Sequence, residues 1–328
     1  MSVVALTAGG GGHTGYAIAI AQRLLGRAEL IFVATDGDSW TERRASRLGR
    51  LFSVPRLRSP DDPRPLLLSA GAFARSLARS LRALPRDLGA LISTGSNQAV
   101  APALAARLRR APVLNLECCD RIATTSAAAR YLYRLGIASR TLLQWEEQLE
   151  LYPRGEVVGP VYELPEREPF DGGYVLVTAG TYGYEELFDE LLESGLESVV
   201  LQTGRVSPAK YARPGWVVFD FDPDFGRWLA GARVVVAHPG VTALNAALAY
   251  GKPVVVAHNP RWRLSVTRED ARLLAEKLNG IFLEKVDARE LRRAIEEAEG
   301  RRPPSYPEGA ARAAEIALEE AARRGESR

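Results

Sequence analysis

Only three histidines occur among the 328 residues, and each stands where an apolar run gives way to glycine, proline or asparagine: His13 in AGGGGHTG, His238 in VAHPG and His258 in VAHNP. Imidazole is the side chain that trades a proton near neutral pH. Ahead of His13, Gly9 to Gly12 close the apolar run 3–8, and an apolar helical pattern follows through Ile18, Ile20, Leu24 and Leu25. That order reads strand, glycine turn, helix start. Glycines tolerate positive φ, and the turn leaves backbone N–H groups at the positive end of a helix dipole, where phosphate or diphosphate is attracted. Gly10, Gly11, Gly12 and Thr14 are therefore expected to cradle an anion, with His13 at its mouth; the plainer alternative is that His13 caps the helix. The spacing is not GxGxxG, and no acidic residue ends the next strand to hold a ribose, Thr35-Asp36-Gly37 coming nearest. A dinucleotide site is not expected.

Glu117 ends another apolar run, with Arg121 four residues on. At a strand's carboxyl end this pair is placed for a ligand, or else forms a local surface ion pair of little worth. In the second half, Gly180 and Thr181 follow the run 174–178, Gln202 ends 198–202, Gly240, Thr242 and Asn245 follow His238, and Asn259 follows His258. Asp220-Phe221-Asp222 has the acidic spacing of metal-dependent transferases, but short acidic loops are common and no metal site is expected there.

These residues need elements to hold them. Strands are expected at 3–8, 30–35, 90–93, 112–117 and 141–143, with helices starting near His13, Pro65, Asn97 and Thr125. Further strands fit 174–178, 198–202, 217–221, 233–237 and 253–257, with helices at 184–192, 242–250, 289–299 and 307–324. Alternation of this kind makes parallel sheets covered by helices, with ligands beyond the carboxyl ends of the strands. Pro153, Pro160, Pro165 and Pro169 have the composition of a linker. The expected architecture is α/β, two Rossmann-like domains facing across a cleft, 1–162 and 163–305, with a last helical stretch at 306–328.

An apolar content of 46% and a charged content of 25% are those of a soluble globular chain. Cys118 and Cys119 are adjacent and cannot form an ordinary disulfide with each other, and no 18-residue apolar run is present. A cytoplasmic protein is expected. Basic residues are nearly all arginine, with four lysines, which fits a thermophile and a GC-rich genome equally. The net charge of +3 divides into +8 over residues 1–162 (21 basic, 13 acidic) and −5 over 163–328 (22 basic, 27 acidic). The first half is thus the one to meet an anionic partner. Within it, 65–84 carries Leu66, Leu67, Leu68, Phe73, Leu77, Leu81 and Leu84 beside Arg75, Arg79 and Arg82, with no acid from 65 to 85. Such a pattern fits a core-facing stripe or a helix lying on anionic lipid.

Taken together, GGGGHTG at 9–15, STGS at 93–96, Glu117 with Arg121, and LLQWEEQLELYP at 142–153 resemble the acceptor-side subunit of the eukaryotic pair that adds the second N-acetylglucosamine to dolichyl-diphosphate-N-acetylglucosamine. VTAGTYGYEEL at 177–187, LQTG at 201–204, VVVAHPG at 234–240 and YGKPVVV at 250–256 resemble its donor-side subunit, as if the two were fused in one chain. The chain is more distantly similar to the bacterial transferase acting on the peptidoglycan lipid precursor. The resemblance implies the glycosyltransferase-B fold, with the last helix, 306–328, crossing back to the first domain, and inverting, metal-independent transfer from a UDP-sugar to a lipid-diphosphate-linked sugar. His13 or Glu117 would be the catalytic base; Gly10, Gly11, Gly12, Thr14 and Arg121 would hold the acceptor. Gly180, Thr181, Gln202, His238, Gly240, Thr242, Asn245 and Asn259 would hold the donor. It implies no cofactor beyond the UDP-sugar, which is substrate, a peripheral place on the cytoplasmic face of a membrane, and no nucleic-acid partner.

Two departures touch the donor side. Where the family has a ribose-gripping glutamate this chain has Ala246, and where it has asparagine-histidine-glutamine this chain has Glu269-Asp270-Ala271. An epimerase acting on UDP-N-acetylglucosamine and a non-catalytic nucleotide-sugar-binding protein are the alternative readings.

Overall fold

The computed structural model describes residues 1–57, 69–261 and 266–326. They form two compact units, residues 1–163 with 307–328, and residues 164–306.

The first unit is built on a parallel sheet of seven strands: β1 (Ser2–Thr7), β2 (Ala28–Thr35), β3 (Arg50–Val54), β4 (Ala90–Ser93), β5 (Val113–Leu116), β6 (Arg140–Leu143) and β7 (Glu156–Val157), in the order β3-β2-β1-β4-β5-β6-β7. Central strands such as β1 and β4 are buried almost throughout because helices cover both faces. The order reverses at β1, which pairs with β2 on one side and β4 on the other. Such a switch point opens a crevice above the strand ends. The helices are α1 (Gly12–Leu24), α2 (Ser39–Ala45), α3 (Ala70–Ala83), α4 (Val100–Leu108) and α5 (Ala127–Arg134). Asp38 caps α2 by accepting from Thr41 N, and Ser126 caps α5 by accepting from Ala129 N.

The second unit repeats the plan with β8 (Tyr174–Thr178), β9 (Val199–Gln202), β10 (Trp216–Phe219), β11 (Ala232–Ala237), β12 (Val254–Ala257) and β13 (Ile281–Leu283), in the order β10-β9-β8-β11-β12-β13 and all parallel. Its switch point lies between β8 and β11. The helices are α6 (Glu185–Glu193), α7 (Gly226–Gly231), α8 (Val241–Leu244), which runs on into a π-helical turn (Asn245–Ala249), α9 (Arg268–Lys277) and α10 (Ala288–Glu299).

The last helix, α11 (Gly309–Glu326), belongs to the first unit and packs on α1, β1 and β4. Arg27–Glu315 and Arg140–Glu320 ion pairs fasten it, and Arg324 donates to the carbonyls of Arg86 and Arg109. At its start a Cβ on Gly309 would run into the carbonyl of Gly159. Only glycine lets the chain re-enter this closely.

α3 shows how the arginine-bearing stretch is used. Leu77 and Leu81 pack against the first unit's core, so the apolar stripe faces protein rather than lipid. Arg75, Arg79 and Arg82 lie on the outer face, and Arg79 is tied to Asp36 at 2.8 Å. Leu66, Leu67 and Leu68 lie outside the described residues. Among the described residues no helix is long and apolar enough to cross a membrane.

Candidate functional site

The turn after β1 has the geometry its glycines permit: Gly10 and Gly11 sit at φ 66° and 51°, and Gly11 is the N-cap of α1. A Cβ on Gly9 would lie 2.6 Å from Gln98 Nε2 and 2.7 Å from Thr35 Oγ1. The first amides of α1, including those of Gly12 and His13, have no intrahelical acceptor. Gly10 N–H is occupied, since it donates to Asp38 Oδ2 at 2.9 Å.

His13 lies inside the first turn of α1 and does not cap it. Its Nδ1 is 2.6 Å from the carbonyl oxygen of Thr94, beyond the end of β4. A carbonyl only accepts, so Nδ1 carries the proton and Nε2 keeps the lone pair. Burial lowers the imidazole pKa below its usual 6.5, opposed by the bond to Thr94 and assisted by the charge of Arg121. The ring is therefore held neutral in the one tautomer that presents Nε2 as a base.

Thr14 and Glu117 take other parts than those expected of them. Thr14 is fully buried, its hydroxyl 2.6 Å from Thr41 Oγ1, so it joins α1 to α2 instead of meeting a ligand. Glu117 is likewise fully buried: its carboxylate accepts from Cys118 N at 2.8 Å, from Ser126 N at 3.1 Å and from the hydroxyl of Tyr152. Burial raises its pKa, and the three donors pull the other way without cancelling the rise. With both oxygens engaged and no exposed surface, it is placed to fix a loop, not to receive a proton from an arriving hydroxyl. Arg121, the suggested ion-pair partner, donates to Thr124 Oγ1.

LLQWEEQLELYP supplies the rest of that loop's support. Gln144 Nε2 donates to Glu117 O, Trp145 Nε1 to Cys119 O, and Gln148 Nε2 to the carbonyls of Cys118 and Arg121, each at 2.8–2.9 Å. From α1, Tyr16 accepts Cys119 N–H at 2.7 Å. Two buried hydroxyls near the glycine turn were not anticipated: Thr35 Oγ1, against Gly9, and Ser96 Oγ, two residues past Thr94, make no hydrogen bond. The STGS stretch was the one sequence signal for Ser96.

In the second unit Gly180, at φ 67°, and His238 meet across the β8/β11 switch point. A Cβ on Gly180 would lie 2.7 Å from His238 Cε1. Desolvation pushes the His238 pKa down to about 4, so the ring is neutral at pH 7. Thr178 Oγ1 accepts Gly180 N–H at 3.1 Å and donates to Gln202 Oε1 at 2.8 Å, which fixes the turn to β9. Thr181 is exposed, Gly240 adopts φ 144° as the N-cap of α8, and Thr242 follows in its first turn. Asn245 is nearly buried and Ala246 wholly so. Asn259 Oδ1 accepts Arg261 N–H at 3.0 Å, closing a local turn. At the start of α9, Thr267 and Asp270 bond reciprocally, so Asp270 builds the helix start. His258, after β12, is held against Phe282.

Asp222, of the acidic triplet, accepts from Asp224 N at 2.9 Å, Arg227 at 2.6 Å and Trp228 Nε1 at 2.8 Å. Its oxygens are engaged in the turn after β10. Among the described residues no group of three or more His, Cys, Asp or Glu is arranged to hold a metal ion.

No family model and no curated protein matches the chain. Solved structures do. The chain is similar to Acinetobacter baumannii MurG (15% identity, 98% of this chain and 100% of that one, TM-score 0.59). It is also similar to the calicheamicin glycosyltransferase CalG4 (16%, 99% and 95%, TM-score 0.57). A third is a putative UDP-N-acetylglucosamine 2-epimerase from Listeria monocytogenes (12%, 97% and 94%, TM-score 0.66). Other matched structures hold UDP. At these identities the likeness establishes the fold, glycosyltransferase-B.

Proposed function

We propose that the protein is an inverting glycosyltransferase that moves N-acetylglucosamine, or a related sugar, from a UDP-sugar to a polyprenyl- or dolichyl-diphosphate-linked sugar. The observation that carries this reading is the bond from His13 Nδ1 to Thr94 O, which leaves Nε2 unprotonated beside the amides of the α1 N-terminus. Those amides suit the acceptor's diphosphate. Nε2 then takes the proton of the attacking hydroxyl as its oxygen bonds to the anomeric carbon. The bond from that carbon to the β-phosphate oxygen breaks on the opposite face, and UDP leaves with the electron pair. A single displacement inverts the anomeric centre.

The donor is assigned to the second unit, where Thr181, Gly240 and Thr242 offer backbone amides beside neutral His238, and Gly180, its own amide held by Thr178, gives the turn its close approach to that ring. Such groups stabilise a leaving diphosphate through fixed dipoles, and the transfer is proposed to need neither metal nor cofactor. A lipid-linked acceptor calls for a membrane surface. The outer face of α3, with Arg75 and Arg82 exposed, supports peripheral docking on anionic lipid of the cytoplasmic face.

Likeness to an epimerase fold keeps a second reading, conversion of UDP-N-acetylglucosamine without an acceptor. Incubation of the protein with radiolabelled UDP-sugars and a short-chain polyprenyl-diphosphate sugar separates the two. Label in the lipid fraction is the expected result. Label in an epimerised nucleotide sugar, with none in lipid, overturns the transferase reading, and binding with neither product points to a non-catalytic protein.

A further inference from the structure

Arg205 follows LQTG at the end of β9, and the structure presses its loop flat against the Gly180 turn. Gly204 sits at φ 62°, and a Cβ there would run into the carbonyl of Gly180 and lie 2.7 Å from that of Thr181. Glycine alone allows this approach. The next residue completes the junction: Arg205 N–H donates to Thr181 O at 3.0 Å. Its guanidinium then stacks on Tyr182, with Cζ 4.5 Å from the ring centroid. A stacked guanidinium is less mobile than a free one and keeps its donor edge open.

Other cations of the second unit are held in ion pairs. Lys210 pairs with Glu185 and Asp189, Arg227 with Asp222, and Arg261 with Glu186. Among the described residues Arg205 has no carboxylate partner. The donors at the Gly180 turn itself are neutral, because His238 stays uncharged at pH 7. The diphosphate of a nucleotide sugar carries two negative charges and gains one more as the sugar departs. Dipoles alone leave that charge without a counter-ion.

We propose that Arg205, held on Tyr182 beside the Gly180–Thr181 turn, is the cation that binds the diphosphate of the nucleotide donor. The inference rests on the donor reading of the second unit and deepens it. Arg205 is thus a binding residue for the leaving group, recruited from the loop after β9 rather than from the glycine turn.

Titration calorimetry with UDP and with uridine tests it on the parent protein, Arg205→Gln and Arg205→Lys. Loss of one charge-assisted contact is expected to weaken UDP binding of the Gln variant by about 10-fold to 100-fold. Uridine should bind parent and variant alike, and the Lys variant should recover part of the UDP affinity. Equal UDP affinity in parent and Gln variant overturns the inference, as does an equal loss for uridine, which would mean that the guanidinium serves the base. A parent that binds neither UDP nor uridine removes the donor reading itself and the inference with it.

Discussion

His13→Asn separates the roles of the two ring nitrogens. Asparagine retains a side-chain N–H directed toward Thr94 O, the partner now 2.6 Å from Nδ1, but has no lone pair where Nε2 stood. The fold around the turn should therefore persist while the base is lost. Removing a general base lowers turnover by about 10²-fold to 10⁴-fold, and 100-fold corresponds to about 2.7 kcal/mol in the barrier. The loss should fall on kcat, with UDP affinity unchanged, because UDP is assigned to the other unit. The pH profile supplies a second measure. Burial lowers the His13 pKa, which favours the neutral imidazole at pH 7. A base works unprotonated; the parent's kcat should be flat above pH 7 and fall on the acid side with a midpoint below 6.5. The variant's residual activity should lack that limb. Steady-state transfer assays from pH 5 to 8 decide the matter. Turnover within a few-fold of the parent, or an unchanged acid limb in the variant, would refute the assignment of His13.

Replacing Arg75 and Arg82 with Gln, and sparing Arg79 because it holds Asp36, should reduce sedimentation with anionic vesicles at low salt, each arginine contributing roughly 1 kcal/mol near such a surface; undiminished sedimentation with intact folding would remove α3 from membrane docking. The folded-state pKa of His238 is depressed to about 4, so the stability it permits is complete above about pH 6.5 and is lost as pH falls toward 4, by roughly 2–3 kcal/mol. Denaturant midpoints at pH 7 and 4.5 should therefore fall further in the parent than in His238→Gln, and identical falls would contradict the burial argument. Gly309→Ala should destabilise the first unit by more than about 2 kcal/mol, since the added methyl meets the backbone of Gly159 and Pro160, which no rotamer change relieves; a thermal midpoint equal to the parent's would show that the α11 junction yields easily.

The alternation of strand and helix was legible along most of the chain because parallel strands buried on both faces appear as short, nearly continuous apolar runs. The runs at 90–93 and 174–178 coincide with β4 and β8, and the others differ at their ends by a residue or two. Several pieces escaped, among them α7 and α9, the latter despite its Thr267 cap, and others carry little local signal. β3 interrupts its apolar residues with Arg50 and Ser53, β7 has two residues, and β13 and α2 are short segments held by their neighbours.

Local sequence also determined the turn chemistry. Gly10, Gly11, Gly180 and Gly240 adopt backbone conformations that other residues reach only with strain, so runs of glycine at strand ends announce themselves. What the sequence could not decide is which side chains at those ends are spent inward. Thr14 is taken by Thr41, Glu117 by Tyr152, and His13 Nδ1 by Thr94, partners 27, 35 and 81 residues away. Spacing along the chain carries no information about contacts that exist only once the sheet has ordered its strands. A carboxylate and an imidazole that look equally fit for catalysis in the sequence are told apart by their surroundings. One is sealed among three donors, and the other is held by a single carbonyl that leaves its second nitrogen a base.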